Sequence, residues 1–179
     1  SAAQLTVKGA LSGHNVWTTL HANSAMGALM RLLDMGIEAF KLKDETMIRG
    51  LISMRLFKKL CPHCREKLSE KHEHPAYNRV KDAFGDLGLK QVFVRGTGCE
   101  YCNGTGNIGR IKAGEIIMTN SEFLNFALGG ETEAALKYWL EKMNGRTLKE
   151  AAIELMLRGI IGVDELERWV GMLDRPWVY

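Results

Sequence analysis

Two short cysteine spacings hold most of the chemistry this sequence could do. Cys61-Pro62-His63-Cys64 and Cys99-Glu100-Tyr101-Cys102 use all four cysteines of the 179 residues. A C-x-x-C turn aims two thiolates to one side of a tight loop, and two such turns supply the corners of a tetrahedral zinc site. On that reading Cys61, Cys64, Cys99 and Cys102 are the ligands of one structural zinc. The pairs are separated by 34 residues, more than a minimal zinc ribbon uses, so an inserted segment is expected between them. Disulfides are the alternative. The sequence shows no secretory signal, and C-x-x-C pairs in a cytosolic protein favour metal. Redox use of one pair lacks a surrounding β-α-β unit. His63, His72 and His74 sit in polar sequence and read as bystanders where four thiols are available. A closed all-cysteine site holds a chain together; it does not say what the chain does.

Reactive character elsewhere is concentrated at His21. Residues 14–20, His-Asn-Val-Trp-Thr-Thr-Leu, are rich in β-branched and aromatic side chains and predict a strand. A strand ending Thr18-Thr19-Leu20-His21, followed by a small-residue turn, would place Thr19 and His21 at the C-terminal edge of a sheet, where α/β folds bind ligands. A third motif, Gly104-Thr105-Gly106-Asn107-Ile108-Gly109, matches G-x-G-x-x-G. A metal turn precedes it and a strand follows, the reverse of a dinucleotide site. It is also a near miss to a phosphate loop, with Arg110-Ile111 where Lys-Ser/Thr is needed. Its glycines read as backbone that folds closely around the second cysteine turn. Cys99 to Gly106 also resembles one zinc-binding repeat of the J-domain co-chaperones, which carry four copies.

The elements that position these residues are read from periodicity. Residues 2–12 predict a helix stopped by Gly13. Ser24 caps a helix with Met26, Leu29, Leu32 and Leu33 on one stripe, ended by Gly36. Asp44 predicts a further helix with Met47, Ile48, Leu51, Ile52 and Leu56 buried. Between the cysteine pairs, Tyr77, Val80, Phe84 and Leu87 mark an amphipathic helix, and residues 91–95 a short strand. Residues 110–118 predict a strand. Helices follow at about 121–128, 132–143, 147–158 and 163–173, punctuated by glycines.

Composition sets limits. With 46% apolar residues the chain can build one good core, or a core and a satellite unit. Its formal charge is +3, which a divalent metal held by four thiolates lowers by two. The segment between the cysteine pairs has seven cations against five acids. Neither figure supports nucleic-acid binding. No apolar run is long enough to span a membrane. The chain begins at Ser1 without a methionine and inside a helical pattern, as a piece of a longer protein would.

Residues 13–25, Gly-His-Asn-Val-Trp-Thr-Thr-Leu-His-Ala-Asn-Ser-Ala, followed by Arg31-Leu32-Leu33-Asp34-Met35-Gly36-Ile37, resemble the histidine box and following helix of the secretion ATPase superfamily. More narrowly, they resemble the type II secretion and type IV pilus-assembly ATPases. Residues 55–64, Arg-Leu-Phe-Lys-Lys-Leu-Cys-Pro-His-Cys, are similar to the start of that group's tetracysteine subdomain. Gly98 to Cys102 with Gly104, Thr105, Gly106, Gly109, Arg110 and Glu115 is similar to its end. Gly145-Arg146-Thr147-Leu148 and the turn at 159–161 before Glu165 fit the C-terminal helices.

The resemblance implies an α/β fragment, the C-terminal part of a RecA-like motor domain, with a tetracysteine zinc insertion and a helical C-terminal bundle. Residues 1–60 would belong to the motor core, 61–109 to the metal subdomain and 110–179 to a strand and helical subdomain. It implies a homo-hexamer that binds ATP and magnesium between subunits. Such a motor is cytoplasmic, peripheral at the bacterial inner membrane, and drives pilin or pseudopilin assembly through an inner-membrane platform protein. His21 would then sense the γ-phosphate, with Thr19 on the same edge. Arg55 occupies the family's Gln-Arg-Leu position, where Met54 replaces the Gln. His14, at the other end of the strand, is structural. The match begins after the family's Walker B region, so the fragment lacks both Walker motifs and is expected not to hydrolyse ATP alone. Retraction motors of the superfamily typically lack the tetracysteine unit, which favours assembly. A different class of reading is a zinc-containing interaction module, docking on the platform protein through the Tyr77–Leu87 helix and the Trp169 and Trp177 tail.

Overall fold

The strand Gly50–Leu60 (β1) forms where the periodicity predicted a helix. Its sequence carries apolar residues at spacings compatible with either period, and hydrogen bonding decides between them. β1 pairs with Asn107–Met118 (β4). The Cys61 amide donates to the Gly106 carbonyl at one end and the Thr119 amide to the Arg49 carbonyl at the other, so the two strands are antiparallel. Leu51 and Phe57 are buried, whereas Ile52 and Leu56, expected on a buried helix face, are exposed. Asp44 does cap, but it caps a turn: its carboxylate accepts from the Thr46 amide at 2.8 Å.

The computed structural model describes residues 2–174, a mixed α/β chain that divides into two compact units. The first comprises the chain up to Ser53 together with Glu115–Arg146. It holds helices Ala2–Leu11 (α1), Ala25–Asp34 (α2), Ala39–Leu42 (α3), Ser121–Leu128 (α5) and Thr132–Lys142 (α6). Its core is Met26, Leu29, Leu42, Ile117, Phe123, Leu124 and Trp139. The predicted caps form: the Gly27 amide donates to Ser24 Oγ at 2.9 Å, and Gly36 (φ 81) follows the end of α2. The buried Glu115 accepts from the Ala25 amide at 2.6 Å, tying the start of α2 to β4.

The second unit comprises Met54–Gly114 and the chain from Thr147 onward. It contains Tyr77–Gln91 (α4), the short strands Glu66–Lys67 (β2) and Phe93–Val94 (β3), and helices Leu148–Leu157 (α7) and Val163–Val170 (α8). β2 pairs antiparallel with β3, Glu66 opposite Val94. Phe57, Leu68, Val80, Leu89, Val92, Leu148, Met156, Ile161 and Leu166 make its core. Gly85 adopts φ 66 inside α4, which offsets the helix phase beyond it. Leu87, expected on the buried stripe, is accordingly 76% exposed. The carboxylate of Glu165 accepts the Lys58 amide at 2.9 Å and the Trp169 indole N–H at 3.2 Å, holding α8 against β1.

Residues 14–20 are not a strand. None of the strands among the described residues pairs with them, and Trp17 is 87% exposed. β-branched and aromatic residues favour a pleated, half-buried surface, and without a neighbouring strand that preference has nothing to act on. Trp177 lies outside the described residues. No helix among the described residues is long and apolar enough to cross a membrane.

Candidate metal centre

β1 delivers Cys61 at its end, and the turn after it returns Cys64, whose following amide, that of Arg65, donates to the Cys61 carbonyl at 3.0 Å. The second pair sits on a 3-10 turn, Glu100–Cys102, before β4. The four sulfur atoms lie within 4.8 Å of one another. Cys61 Sγ is 3.7 Å from Cys99 Sγ, Cys64 Sγ is 3.8 Å from Cys102 Sγ, and Cys99 Sγ is 3.7 Å from Cys102 Sγ. A tetrahedron with metal–sulfur bonds of about 2.3 Å has edges of about 3.8 Å. The four thiols therefore fit a tetrahedrally held metal ion. All four are free, with no disulfide among them.

The backbone prepares one sulfur to be an anion. The amides of Cys99 and Gly106 both donate to Cys102 Sγ at 3.2 Å. The Cys99 amide chiefly, then that of Gly106, lowers the Cys102 thiol to about 6 against the opposing effect of burial. Burial pushes the Cys64 thiol up to about 12, and its three thiol neighbours add to the effect. A cation placed among the sulfurs removes that conflict, because metal ligation displaces the thiol protons.

Close backbone approach makes this packing. A methyl group on Gly96 would stand 1.7 Å from the Cys64 carbonyl oxygen, so no larger residue fits there. Gly106 has φ 70, and a methyl group added there would stand 2.7 Å from the Gly96 oxygen. The two turns also clasp through their middle residues, His63 and Tyr101, whose ring centroids are 4.2 Å apart. The histidines take no place among the ligands. His72 packs on Tyr77 at 4.8 Å, and His74 Nε2 lies 3.4 Å from Asp164.

The other candidates stand elsewhere. Thr19 and His21 are exposed in the irregular segment before α2, and neither side chain makes a hydrogen bond or ion pair among the described residues. Arg55 is half-buried on β1, with its guanidinium 5.9 Å from the centre of the Trp169 ring. His14 Nδ1 is 2.9 Å from Ser12 Oγ at the end of α1. Periodicity missed the Thr147 capping box, although Thr147-x-x-Glu150 was its signature: each side chain bonds the other's amide.

The family described as type II/IV secretion system protein matches residues 1–168. The chain belongs to that family. A type II secretion system protein E from Klebsiella pneumoniae is 34% identical over 172 residues, covering 93% of this chain and 31% of the relative. The type IV pilus assembly ATPase PilB of Thermus thermophilus is 30% identical over 164 residues, 92% of this chain and 18% of the relative. The pilus assembly ATPase PilB of Pseudomonas aeruginosa is 29% identical over 168 residues, 93% of this chain and 28% of the relative. The chain thus spans between about a fifth and a third of the length of these curated relatives. As a secretion-family chain it is similar to a protein named for type II secretion and to ATPases named for type IV pilus assembly.

Proposed function

We propose that this chain is the C-terminal portion of a hexameric ATPase that powers type IV pilus or type II pseudopilus assembly from the cytoplasmic face of the inner membrane. The family match across residues 1–168 carries the reading. The relatives' names supply ATP hydrolysis and the pilus or secretion task. In this reading the first unit contributes to a RecA-like motor domain that binds ATP and magnesium. His21 and Thr19, exposed and two residues apart, are free to face nucleotide there. Arg55 contributes from β1, although its contact with Trp169 also gives it a packing role. The tetracysteine cluster holds zinc, the soft-thiolate choice for tetrahedral sulfur ligands.

These 179 residues contain no G-x-x-x-x-G-Lys-Ser/Thr run. The purified chain should therefore release no phosphate from ATP above background. Turnover by the chain alone would defeat the reading. In the longer ATPase, His21→Ala should lower kcat by roughly a hundredfold, the scale of losing one positioned proton-transfer or hydrogen-bonding group. ATP-analogue binding should change little.

The docking reading draws on residues 77–87 of α4 and on Trp169, with Leu87 and Trp169 exposed, and extends to Tyr101, exposed on the second cysteine turn. Deleting 65–98 cannot test it, because Leu68, Val80, Leu89, Val92 and Val94 belong to the core. Leu87→Glu with Tyr101→Ala, assayed for capture by a platform protein's cytoplasmic domain, separates docking from folding.

A further inference from the structure

Beside the second cysteine turn lies a cleft of about 920 Å³, walled by Lys58, Arg95 and Arg110 and by the backbone of the glycine-rich loop. The three cations come from β1, from the residue after β3, and from β4, all within one unit. We infer that this cleft binds a phosphate-bearing anion. Across the whole chain 24 Lys and Arg stand against 21 Asp and Glu, so a local wall with three cations and no carboxylate departs from the average surface. None of the three side chains makes an ion pair or side-chain hydrogen bond among the described residues. Their charge is left available to a ligand.

The loop shapes the site. The Gly104–Gly109 run does not wrap phosphate with its amides as a nucleotide loop does; it lets cationic stems lie against it. A methyl on Gly106 would meet Arg95 Cγ at 2.7 Å, and one on Gly109 would lie 3.7 Å from Lys59 Cε. Thr97 also lines the cleft, while the Thr105 hydroxyl is turned inward to the Cys102 carbonyl at 2.7 Å. A carboxylate brings one charge and is satisfied by one guanidinium. A phosphomonoester or diphosphate concentrates about two or more charges on one group, and so engages three cations at once. The same chemistry comes from a soluble phosphate compound or from a phosphomonoester lipid headgroup.

The competing role for these cations is to offset the charge of a tetrathiolate metal centre, and the experiment separates the two. Inorganic pyrophosphate is titrated calorimetrically into the zinc-loaded chain at low salt, with zinc content measured before and after. Saturable binding is expected. Arg95→Ala and Arg110→Ala should each weaken it roughly tenfold, the loss of one charge-assisted contact. Lys81→Ala, an exposed cation away from the cleft, should leave it unchanged. Phosphatidic acid vesicles that capture the chain with the same variant dependence, where phosphatidylcholine vesicles do not, identify the lipid source. Pyrophosphate binding without vesicle capture identifies a soluble one. The inference is overturned by absence of binding to both probes, or by an equal loss in Lys81→Ala. It is also overturned if the arginine variants shed zinc at unchanged pyrophosphate affinity, or if polyglutamate binds with this variant dependence and pyrophosphate does not.

Discussion

Four sulfur atoms within 4.8 Å of one another cannot all be thiolates in the absence of a cation, because like charges so close strongly disfavour joint ionisation. The protein divides the burden, lowering Cys102 from 9.0 to about 6 and raising Cys64 from 9.0 to about 12. For the metal-free chain this sets a pH profile. Cys102, depressed on folding, contributes stability that is complete above pH 9 and lost as pH falls through 6. Cys64, raised on folding, contributes stability that is complete below pH 9 and lost as pH rises toward 12. Melting temperatures in chelator and reductant should therefore climb from pH 6 to 9 and decline above it; a flat or falling trend between 6 and 9 would refute the thiol assignment. With metal supplied, zinc content should approach one per chain, and Cys102→Ser should reduce it to a small fraction, since a hydroxyl is a poor soft-metal ligand. The convergence of the four cysteines was legible in the sequence because C-x-x-C spacing fixes local geometry. The anion cleft was not: Lys58, Arg95 and Arg110 are scattered in sequence; pairing of β1 with β4 brings Lys58 and Arg110 together, and the chain after β3 adds Arg95.

Helices with one apolar stripe and a glycine within three residues of at least one end, α5 through α8, were readable to within three residues. Two elements were not, for different reasons. Residues 50–60 carry apolar side chains that suit either period, and β4, which begins at Asn107, selects the strand. In α4 the stripe is correct through Phe84, after which Gly85 shifts the helix phase and turns Leu87 outward. The second unit relies on long-range polar ties that no local pattern reveals. Arg79 makes a paired contact with Glu167, its Nε 2.9 Å and its Nη2 2.6 Å from the two carboxylate oxygens. Both side chains are largely shielded, at 22% and 11% exposure. Arg79→Ala should cost about 3 kcal/mol, because Glu167 then keeps a shielded charge without its counter-ion. Arg79→Ala with Glu167→Ala should recover part of it, read by denaturant melts as a double-mutant cycle. Thr147→Ala, which removes the cap of α7, should cost about 1 kcal/mol in the same assay.

At the scale of the molecule, two cores of different dependence share one chain. The first is closed by apolar packing around Trp139, with α5 and α6 joined by a short turn, and no cysteine belongs to it. The second contains the cysteine cluster and threads its core through the segment between the two pairs, where Leu68, Val80, Leu89, Val92 and Val94 all lie. Closing that long loop with metal removes chain entropy from the unfolded state, and a structural site's binding energy counts directly toward folding. Chelation should therefore loosen the second unit first. Hydrogen exchange followed by mass spectrometry tests this segment by segment, with zinc-loaded and chelated chains compared. Amides in α4, α7 and α8 should lose protection on chelation, while those in α2, α5 and α6 retain most of theirs. Variants that keep only Trp139 or only Trp169, with the other three of the four tryptophans replaced by Phe, give an independent optical reading, because each reports on one unit. Simultaneous loss of protection in both units, with matching transitions from both tryptophans, would show that metal supports the chain as a single cooperative body.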